Sequence, residues 1–167
     1  MKLFILSLVA AASLVACTSG KTKEKESLAV INKYMEAVES NNTAAMDSLL
    51  ADNYMGYGPS VDDSTNKAEA LANWKRISEQ LYGSVKYTRH HNLAVTVKEN
   101  EDVEPGNWVS NWSYLTIVYK DGKSKANLWV NTAYKVENGK IVHSRSFYNE
   151  ADVYRQLGYA IVAGNNQ

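Results

Sequence analysis

The sequence predicts an α+β domain in which three N-terminal helices cover one face of a strongly curved antiparallel sheet. In residues 28–50 and again in residues 66–81, apolar side chains recur every three or four positions, as they do in amphipathic helices. From residue 85 onward the chain is rich in Val, Tyr, Thr and Trp and is interrupted by two turn dipeptides, which indicates strands. A block of helices followed by a block of strands is typical of the α+β class.

The N-terminus has the pattern of an export signal. One basic residue, Lys2, precedes an uncharged stretch that ends at the single cysteine, Cys17. The stretch is shorter than the roughly 20 apolar residues that span a membrane, so we interpret residues 1–16 as a signal peptide. Leu14-Val15-Ala16-Cys17 is similar to a lipobox, which implies that Cys17 carries lipid and anchors the protein to the membrane. Plain secretion with a free thiol is the alternative.

The segments after the signal predict a tether, one domain and a short tail. Residues 17–26 contain no apolar side chain after the cysteine and predict a flexible tether. Thr18 rather than Asp follows the cysteine, which favours the outer membrane in the lipoprotein-sorting pattern that this segment resembles. Residues 27–160 have the size of a single domain, and residues 161–167 form the tail. Since the 18 basic and 18 acidic side chains cancel, the sequence predicts no nucleic-acid partner.

The helices can be placed from their start signals. The first is predicted at residues 28–40, behind a Ser27 cap. Asn41-Asn42-Thr43 ends this helix and caps a shorter second one, and Asn66-Lys67-Ala68-Glu69 has the capping-box spacing that opens the third. Residues 52–64 contain two glycines and a proline without a sustained period, and they predict a loop.

The strands are predicted near residues 85–98, 107–120, 123–137 and 140–149. Asp121-Gly122 and Asn138-Gly139 are typical of two-residue type I′ turns, so the last three strands should form an antiparallel meander. If no bulge intervenes, the turns place Trp112 beside Asn131 and Asn131 beside Ser146.

Alternation along these strands separates two faces of the sheet. One face carries large aromatic side chains that are seldom left to water, and we expect it to be a homodimer interface. Contact with a membrane or another protein is the alternative. The residues of this expected interface are Trp112, Tyr114, Trp129 and Tyr148. The opposite face is predicted to be the interior and to include Asn111, Thr132, Tyr134, His143, Arg145 and Asn149.

Two parts of the chain resemble SnoaL-like proteins of the NTF2-like superfamily. Their C-terminal signature is similar to Glu137-Asn138-Gly139-Lys140-Ile141, Phe147-Tyr148-Asn149 and Arg155-Gln156-Leu157-Gly158, and the loop after their second helix resembles residues 52–59. The resemblance covers residues 27–158 and implies a cone-shaped roll whose helices and sheet enclose an apolar pocket open at one end. Members include polyketide cyclases, isomerases, dehydratases and non-catalytic binding proteins, so the fold leaves the function open.

Two positions depart from the pattern of the catalytic relatives. The resemblance implies an acid-base aspartate seven residues before Gln156, where this chain has Asn149. It also implies a histidine before Pro59, at the position that we align with Tyr57. An amide does not exchange a proton at neutral pH. These departures favour a binding module over an enzyme that uses the family mechanism.

The leading hypothesis is therefore a cone that binds a small, mostly apolar or amphipathic molecule. The candidate pocket residues are Tyr54, Tyr57, Trp74, Asn111, Thr132, Tyr134, Arg145 and Asn149. Core packing is the alternative for Trp74, and solvent exposure at the rim is the alternative for His143 and Arg145. A diverged cyclase, isomerase or hydratase and a non-catalytic assembly module are alternative functions. Adjacent His90 and His91 point to opposite faces of a strand, so we predict no metal site and no cofactor.

Overall fold

Four helices and six strands make up the part of the chain that the computed structural model describes, namely residues 2–99, 104–160 and 162, with side chains from residue 20 onward. In chain order they are α1 (Lys2–Glu39), α2 (Thr43–Leu49), β1 (Leu50–Tyr57), β2 (Ser64–Asn66), α3 (Lys67–Gln80), β3 (Tyr82–Val97), β4 (Gly106–Tyr119), β5 (Lys125–Glu137), β6 (Lys140–Tyr148) and α4 (Glu150–Gln156). The strands form one curved sheet in the order β2-β1-β6-β5-β4-β3. The α+β fold class is confirmed.

The sheet is mixed, whereas the sequence predicted an antiparallel one. Strand β1 runs parallel to β6, and all other neighbouring strands are antiparallel. The predicted loop at 52–64 is wrong for residues 52–57, which lie in β1. The pairing with β6, about 90 residues later in the chain, makes this segment a strand, and a local pattern cannot show such a contact.

Helix α1 starts earlier than predicted. The helix is continuous from Lys2, so the expected tether at 17–26 is helical, in keeping with the high helix propensity of its Lys and Glu residues. Ser27 is buried within α1 and is not its cap. The side chains of residues 1–16 and of Cys17 lie outside the described residues, as does most of the tail at 161–167. Within the described residues, no helix has the length and apolar character needed to span a membrane.

The caps of the next two helices are as predicted. The Asn42 side chain accepts a hydrogen bond from the Ala45 N–H at 3.0 Å and caps α2. Asn66 and Glu69 form a reciprocal capping box at the start of α3. The helices pack on the inner face of the sheet around a core whose fully buried apolar members are Ile31, Val38, Met46, Leu50, Val109 and Ile141.

The first predicted hairpin has the expected register. Trp112 pairs with Asn131 between β4 and β5. Among the described residues of this turn only Gly122 has a positive φ, 71°, so the type I′ assignment is wrong there although the register is right. In the second turn both Asn138, at 50°, and Gly139, at 75°, have the positive φ that a type I′ turn needs.

A bulge in β6 changes the register of the second hairpin. Val136 pairs with Ile141, but the preceding residue, Lys135, pairs with His143. Val142 is therefore an extra residue without a partner, and every position after it is displaced by one. Because side chains alternate along a strand, this displacement exchanges the two faces of the rest of β6.

The exchange corrects several predicted positions. Asn131 pairs with Phe147 and not with Ser146. Arg145, predicted to face the interior, lies on the outer face, and Tyr148, predicted on the outer face, lines the interior. Beyond the bulge the inward residues are Ser144, Ser146 and Tyr148, and the outward residues are His143, Arg145 and Phe147.

Candidate functional site

A cavity of about 400 Å³ lies between the inner face of the sheet, α3 and α4. This volume is within the usual range of small-molecule pockets, roughly 300–1,000 Å³. The apolar residues of its lining are Ala70, Trp74, Ile77, Val85, Leu115, Ile117, Leu128, Val130, Val153 and Leu157. The remaining residues are Tyr54, Gly56, Tyr57, Gly58, Asp63, Thr65, Asn73, Tyr82, Tyr87, Tyr119, Ser144, Ser146, Tyr148, Glu150 and Tyr154.

A buried hydrogen bond joins two strands in the cavity wall. The Tyr54 hydroxyl of β1 and the Ser144 hydroxyl of β6 are 2.7 Å apart. Gly56 leaves room for this pair, since a Cβ at its position would lie 2.5 Å from the Tyr54 Oη. Burial raises the pKa of Tyr54, so its hydroxyl stays neutral at neutral pH.

Further tyrosines fill the space behind this pair. The rings of Tyr34 and Tyr134 meet edge to face at 6.2 Å, and Tyr87 reaches the cavity wall. Burial raises the pKa of all three above the ordinary range, and their mutual proximity raises the pKa of Tyr34 and Tyr134 further. The interior therefore presents neutral hydroxyl groups and apolar surface.

The mouth of the cavity has a different character. Asp63 and Glu150 are exposed there, and among the described residues they are the charged side chains of the lining. Burial raises the pKa of Tyr148, and the charges of the two carboxylates raise it further. Tyr82 and Tyr119 meet edge to face at 5.3 Å, and burial together with Tyr119 raises the pKa of Tyr82 to about 12. The mouth thus combines carboxylates with aromatic rings.

The loop between β1 and β2 holds Asp63 at the mouth. The Gly58 N–H donates to the Asp63 carbonyl at 3.0 Å, and the Asp63 N–H donates to the Ser60 carbonyl at 3.3 Å. The Asp63 carboxylate lies against Gly58, where a Cβ would come within 1.8 Å of its Oδ2. The absence of a side chain at Gly58 therefore permits this position of the carboxylate.

Three of the predicted pocket residues border the cavity. Tyr54 and Trp74 line it, and Trp74 also packs against the core. Tyr57 belongs to the lining, but its ring stacks with His143 at 5.0 Å between centroids and lies under the Arg145 guanidinium at 4.6 Å. Because both of those residues are on the outer face, the Tyr57 ring is directed away from the cavity.

Three other predicted residues are interior but do not line the cavity. Asn111 is almost fully buried and donates to the Asn92 Oδ1 at 2.6 Å. Thr132 is hydrogen-bonded to Ser146 at 2.9 Å, and Tyr134 is part of the core. The inward face of these strands was predicted correctly, but packing closes this end of the cone and uses the polar groups internally.

Asn149 and Arg145 were predicted to lie in the pocket, but both lie outside it. The Asn149 side chain accepts a hydrogen bond from the Asp152 N–H at 3.0 Å and caps α4, and the residue is exposed. Arg145 stacks over Tyr57 on the outer face. Both corrections follow from the one-residue displacement of β6 by the Val142 bulge.

Sequence reasoning missed several lining residues for identifiable reasons. Ser146 was placed beside Asn131 because the bulge leaves no local signal in the sequence, and the same bulge brings Ser144 and Ser146 to the cavity wall. Tyr87 lies on β3, and the sequence analysis did not assign the residues of this strand to the inner or outer face of the sheet. Asp63 lies in a loop and Glu150 lies at the start of a helix. Carboxylates are common at both kinds of position because they interact with nearby backbone N–H groups, so neither residue indicated a site.

The outer face carries most of the predicted aromatic row. Trp112 and Trp129 are 43% and 56% exposed, and Tyr114 contacts Trp129 edge to face at 5.4 Å. Phe147, 51% exposed, occupies this face in place of the predicted Tyr148. In the described part of the chain, no group of three or more His, Cys, Asp or Glu side chains is placed to hold a metal ion.

Comparisons with known proteins identify similar sequences and folds. A family model described as a SnoaL-like domain matches residues 31–144. The curated proteins contain no match. An LEH-like epoxide hydrolase from M. tuberculosis has 15% identity and a TM-score of 0.61, with 80% of this chain and 90% of that chain covered.

Two further solved structures have the same fold. A provisionally assigned isomerase from Bacillus subtilis has 14% identity and a TM-score of 0.64, with 81% of this chain and 95% of that chain covered. A provisionally assigned polyketide cyclase from Xanthomonas campestris has 15% identity and a TM-score of 0.61, with 78% and 98% covered. At these identities the likeness shows the fold alone.

Proposed function

The chain belongs to the SnoaL-like domain family, and from that premise we propose that it is a binding module that holds a small, mostly apolar or amphipathic molecule in its cavity without the family's Asp/His catalysis. The chemistry of the cavity wall carries the proposal. Among the described residues, the lining contains no Lys, Arg or His, and its carboxylates, Asp63 and Glu150, are exposed at the mouth. The inner wall offers apolar surface and neutral hydroxyl groups.

Proton transfer requires a group whose pKa lies near the working pH and that reaches the reacting atom. Burial raises the pKa values of Tyr54 and Tyr87 above the ordinary tyrosine value, so neither is suited to act as a base at neutral pH. Asn149, at the position of the family's aspartate, is occupied as a helix cap. These features support binding through apolar burial, with the hydroxyls of Tyr54, Ser144 and Ser146 orienting the ligand.

A diverged enzyme is the second candidate. Two carboxylates and the Tyr148 side chain belong to the lining of the cavity, and proteins of this fold include an epoxide hydrolase. A hydrolase or isomerase of this chain would have to act on a group held at the mouth and not in the interior. Turnover of a co-purified molecule by the wild-type chain, lost in Asp63→Asn, would favour this candidate.

The binding proposal is tested by what the purified protein carries. Small molecules extracted from the wild-type chain are identified by mass spectrometry, and the same extraction is made from Val130→Phe, which places a larger side chain in the cavity. We expect a bound molecule in the wild-type chain and a lower occupancy in the variant. Equal occupancy in both proteins would place the molecule elsewhere, and an empty wild-type chain that no apolar probe stabilises would contradict the proposal.

We also propose that the chain is an exported lipoprotein anchored to the outer membrane through Cys17. The lipobox-like segment and the uncharged stretch before it support this proposal. Cys17→Ser should abolish lipidation and move most of the protein to the aqueous phase in detergent partitioning, because the described residues contain no membrane-spanning helix. Thr18→Ser is the matched control and should remain in the detergent phase. Retention of the Cys17→Ser protein there would refute the single anchor.

A further inference from the structure

We infer that the cavity selects an amphipathic organic cation, namely an amine whose apolar part lies in the cavity and whose ammonium group lies at the mouth beside Asp63 and Glu150. The inference rests on the proposed binding function and specifies the charge of the ligand. The cavity shows that there is space for a ligand, and the charges of its lining indicate which ligand fits.

The charge of the mouth is the first argument. Asp63 and Glu150 are its two carboxylates, and the lining offers no basic side chain among the described residues. Neither carboxylate forms an ion pair within the described part of the chain, whereas Asp152, two residues after Glu150, is paired with Arg155. The mouth therefore keeps a negative potential, which attracts a cation and repels a carboxylate ligand such as a fatty acid.

The aromatic rings of the mouth are the second argument. Tyr82, Tyr119, Tyr148 and Tyr154 border the same opening. Tyrosine rings attract ammonium groups through their negative faces. Asp63 and Glu150 line the same cavity as these rings, so an ammonium group held at the mouth would meet opposite charge and ring faces together.

The interior determines the orientation of such a ligand. Its aliphatic side chains and neutral hydroxyls offer no counter-charge. An ammonium group moved past them would lose its hydrating water without gaining an opposite charge, which is unfavourable. The charged end is therefore held at the mouth while the apolar end enters. Gly58 contributes by leaving room for the Asp63 carboxylate, so it is a positioning residue for this selectivity.

The test compares three probes with one apolar body: 4-phenylbutylamine, 4-phenylbutanol and 4-phenylbutanoate. Their dissociation constants for the purified chain are measured by titration calorimetry at low salt. We expect the amine to bind about tenfold more tightly than the alcohol, from screened charge pairs plus ring contacts, and the carboxylate to bind most weakly. Added salt should reduce the advantage of the amine.

Two double variants assign the preference to the mouth. Asp63→Asn with Glu150→Gln should bring the amine and the alcohol to within about threefold of each other, because the ring contacts alone remain. Asp62→Asn with Glu79→Gln removes the same charge from exposed positions outside the lining and should keep the preference.

The outcomes separate the two proposals. Equal binding of the amine and the alcohol by the wild-type chain, or a preference that survives Asp63→Asn with Glu150→Gln, would overturn the cation inference while the binding function stands. Stronger binding of the carboxylate would overturn it as well. Binding of none of the three probes would overturn the proposed binding function together with the inference.

Discussion

Asn149 departs from the family pattern, and its local hydrogen bond explains why an asparagine is suited to this position. It stands where the resemblance implies a catalytic aspartate, yet its side chain accepts the Asp152 N–H and caps α4. Asparagine and aspartate are both good helix caps, so either residue could hold the start of this helix. The departure from the family is real, but its structural meaning is a helix terminus.

The cap makes a quantitative prediction. Asn149→Ala should lower the free energy of unfolding by about 1 kcal/mol, because the Asp152 N–H loses its acceptor. Asn149→Asp should change it by less than about 0.5 kcal/mol, since a carboxylate accepts the same bond and is favourable at a helix N-terminus. Urea unfolding of the three proteins measures both values. A larger loss for Asp than for Ala would point to a buried position instead.

Gly56 is the second position at which a single atom matters. Gly56→Ala places a methyl group 2.5 Å from the Tyr54 Oη, so the Tyr54 side chain must move and its bond to Ser144 is lost. We expect a loss of about 1–3 kcal/mol in the free energy of unfolding, as for other overpacked sites. Gly83→Ala is the control, because its nearest contact would be an ordinary 3.4 Å. Similar unfolding energies for the two variants would refute this account.

Among the elements, β6 has the largest influence on the site. Its bulge at Val142 places Ile141 and Ser144, three positions apart, on the same buried face, which a regular strand cannot do. The same bulge directs Tyr148 to the cavity and Arg145 to the outer face.

Deletion of Val142 tests the bulge directly. In the shortened strand, the register that the Asn138-Gly139 turn specifies pairs His143 with Lys135 and keeps Arg145 opposite Ala133 on the outer face, as in the native strand. Because only the bulge is removed and both faces of β6 are kept, we expect a folded protein with a loss of less than about 3 kcal/mol, and failure to fold would contradict this account. The conservative Val142→Ala should cost about 1 kcal/mol and keep the native circular-dichroism spectrum. Wild-type stability of the deletion would show that the bulge is dispensable.

At the scale of the whole molecule, the exposed outer face raises the question of assembly. Trp112, Trp129 and Phe147 lie on it with about half of their surface exposed. Apolar surface of this kind commonly marks an interaction site. The homodimer expected from the sequence remains a prediction, with Phe147 replacing Tyr148 in the proposed contact.

Charge substitutions on this face should separate the protomers. Trp112→Glu together with Trp129→Glu should convert a dimer to a monomer without unfolding it, because burying a charge in an apolar contact costs several kcal/mol. Sedimentation velocity measures the oligomeric state, and circular dichroism verifies the fold. Val61→Glu with Tyr159→Glu changes two exposed apolar residues elsewhere and should leave the dimer intact. A monomeric wild-type protein would end the hypothesis.

The sequence by itself determined the features that depend on neighbours along the chain. The caps at Asn42 and Asn66, the α+β class and the register of the first hairpin were all predicted correctly. Each of these arises from hydrogen bonds or alternation within a few residues, so the local pattern carries the information. Of the predicted pocket residues, Tyr54, Tyr57 and Trp74 border the cavity, and their role in binding remains a prediction.

The tertiary structure alone decided the features that depend on distant contacts. Strand β1 exists because it pairs with β6, and the bulge in β6 arises where Ile141 and Ser144 both find buried partners. Those contacts determine that Ser146 lines the cavity and that Asn149 begins α4. They also bring Asp63 and Glu150, about 90 residues apart in the chain, to one mouth, because a cavity joins surfaces of elements whose packing no local pattern encodes.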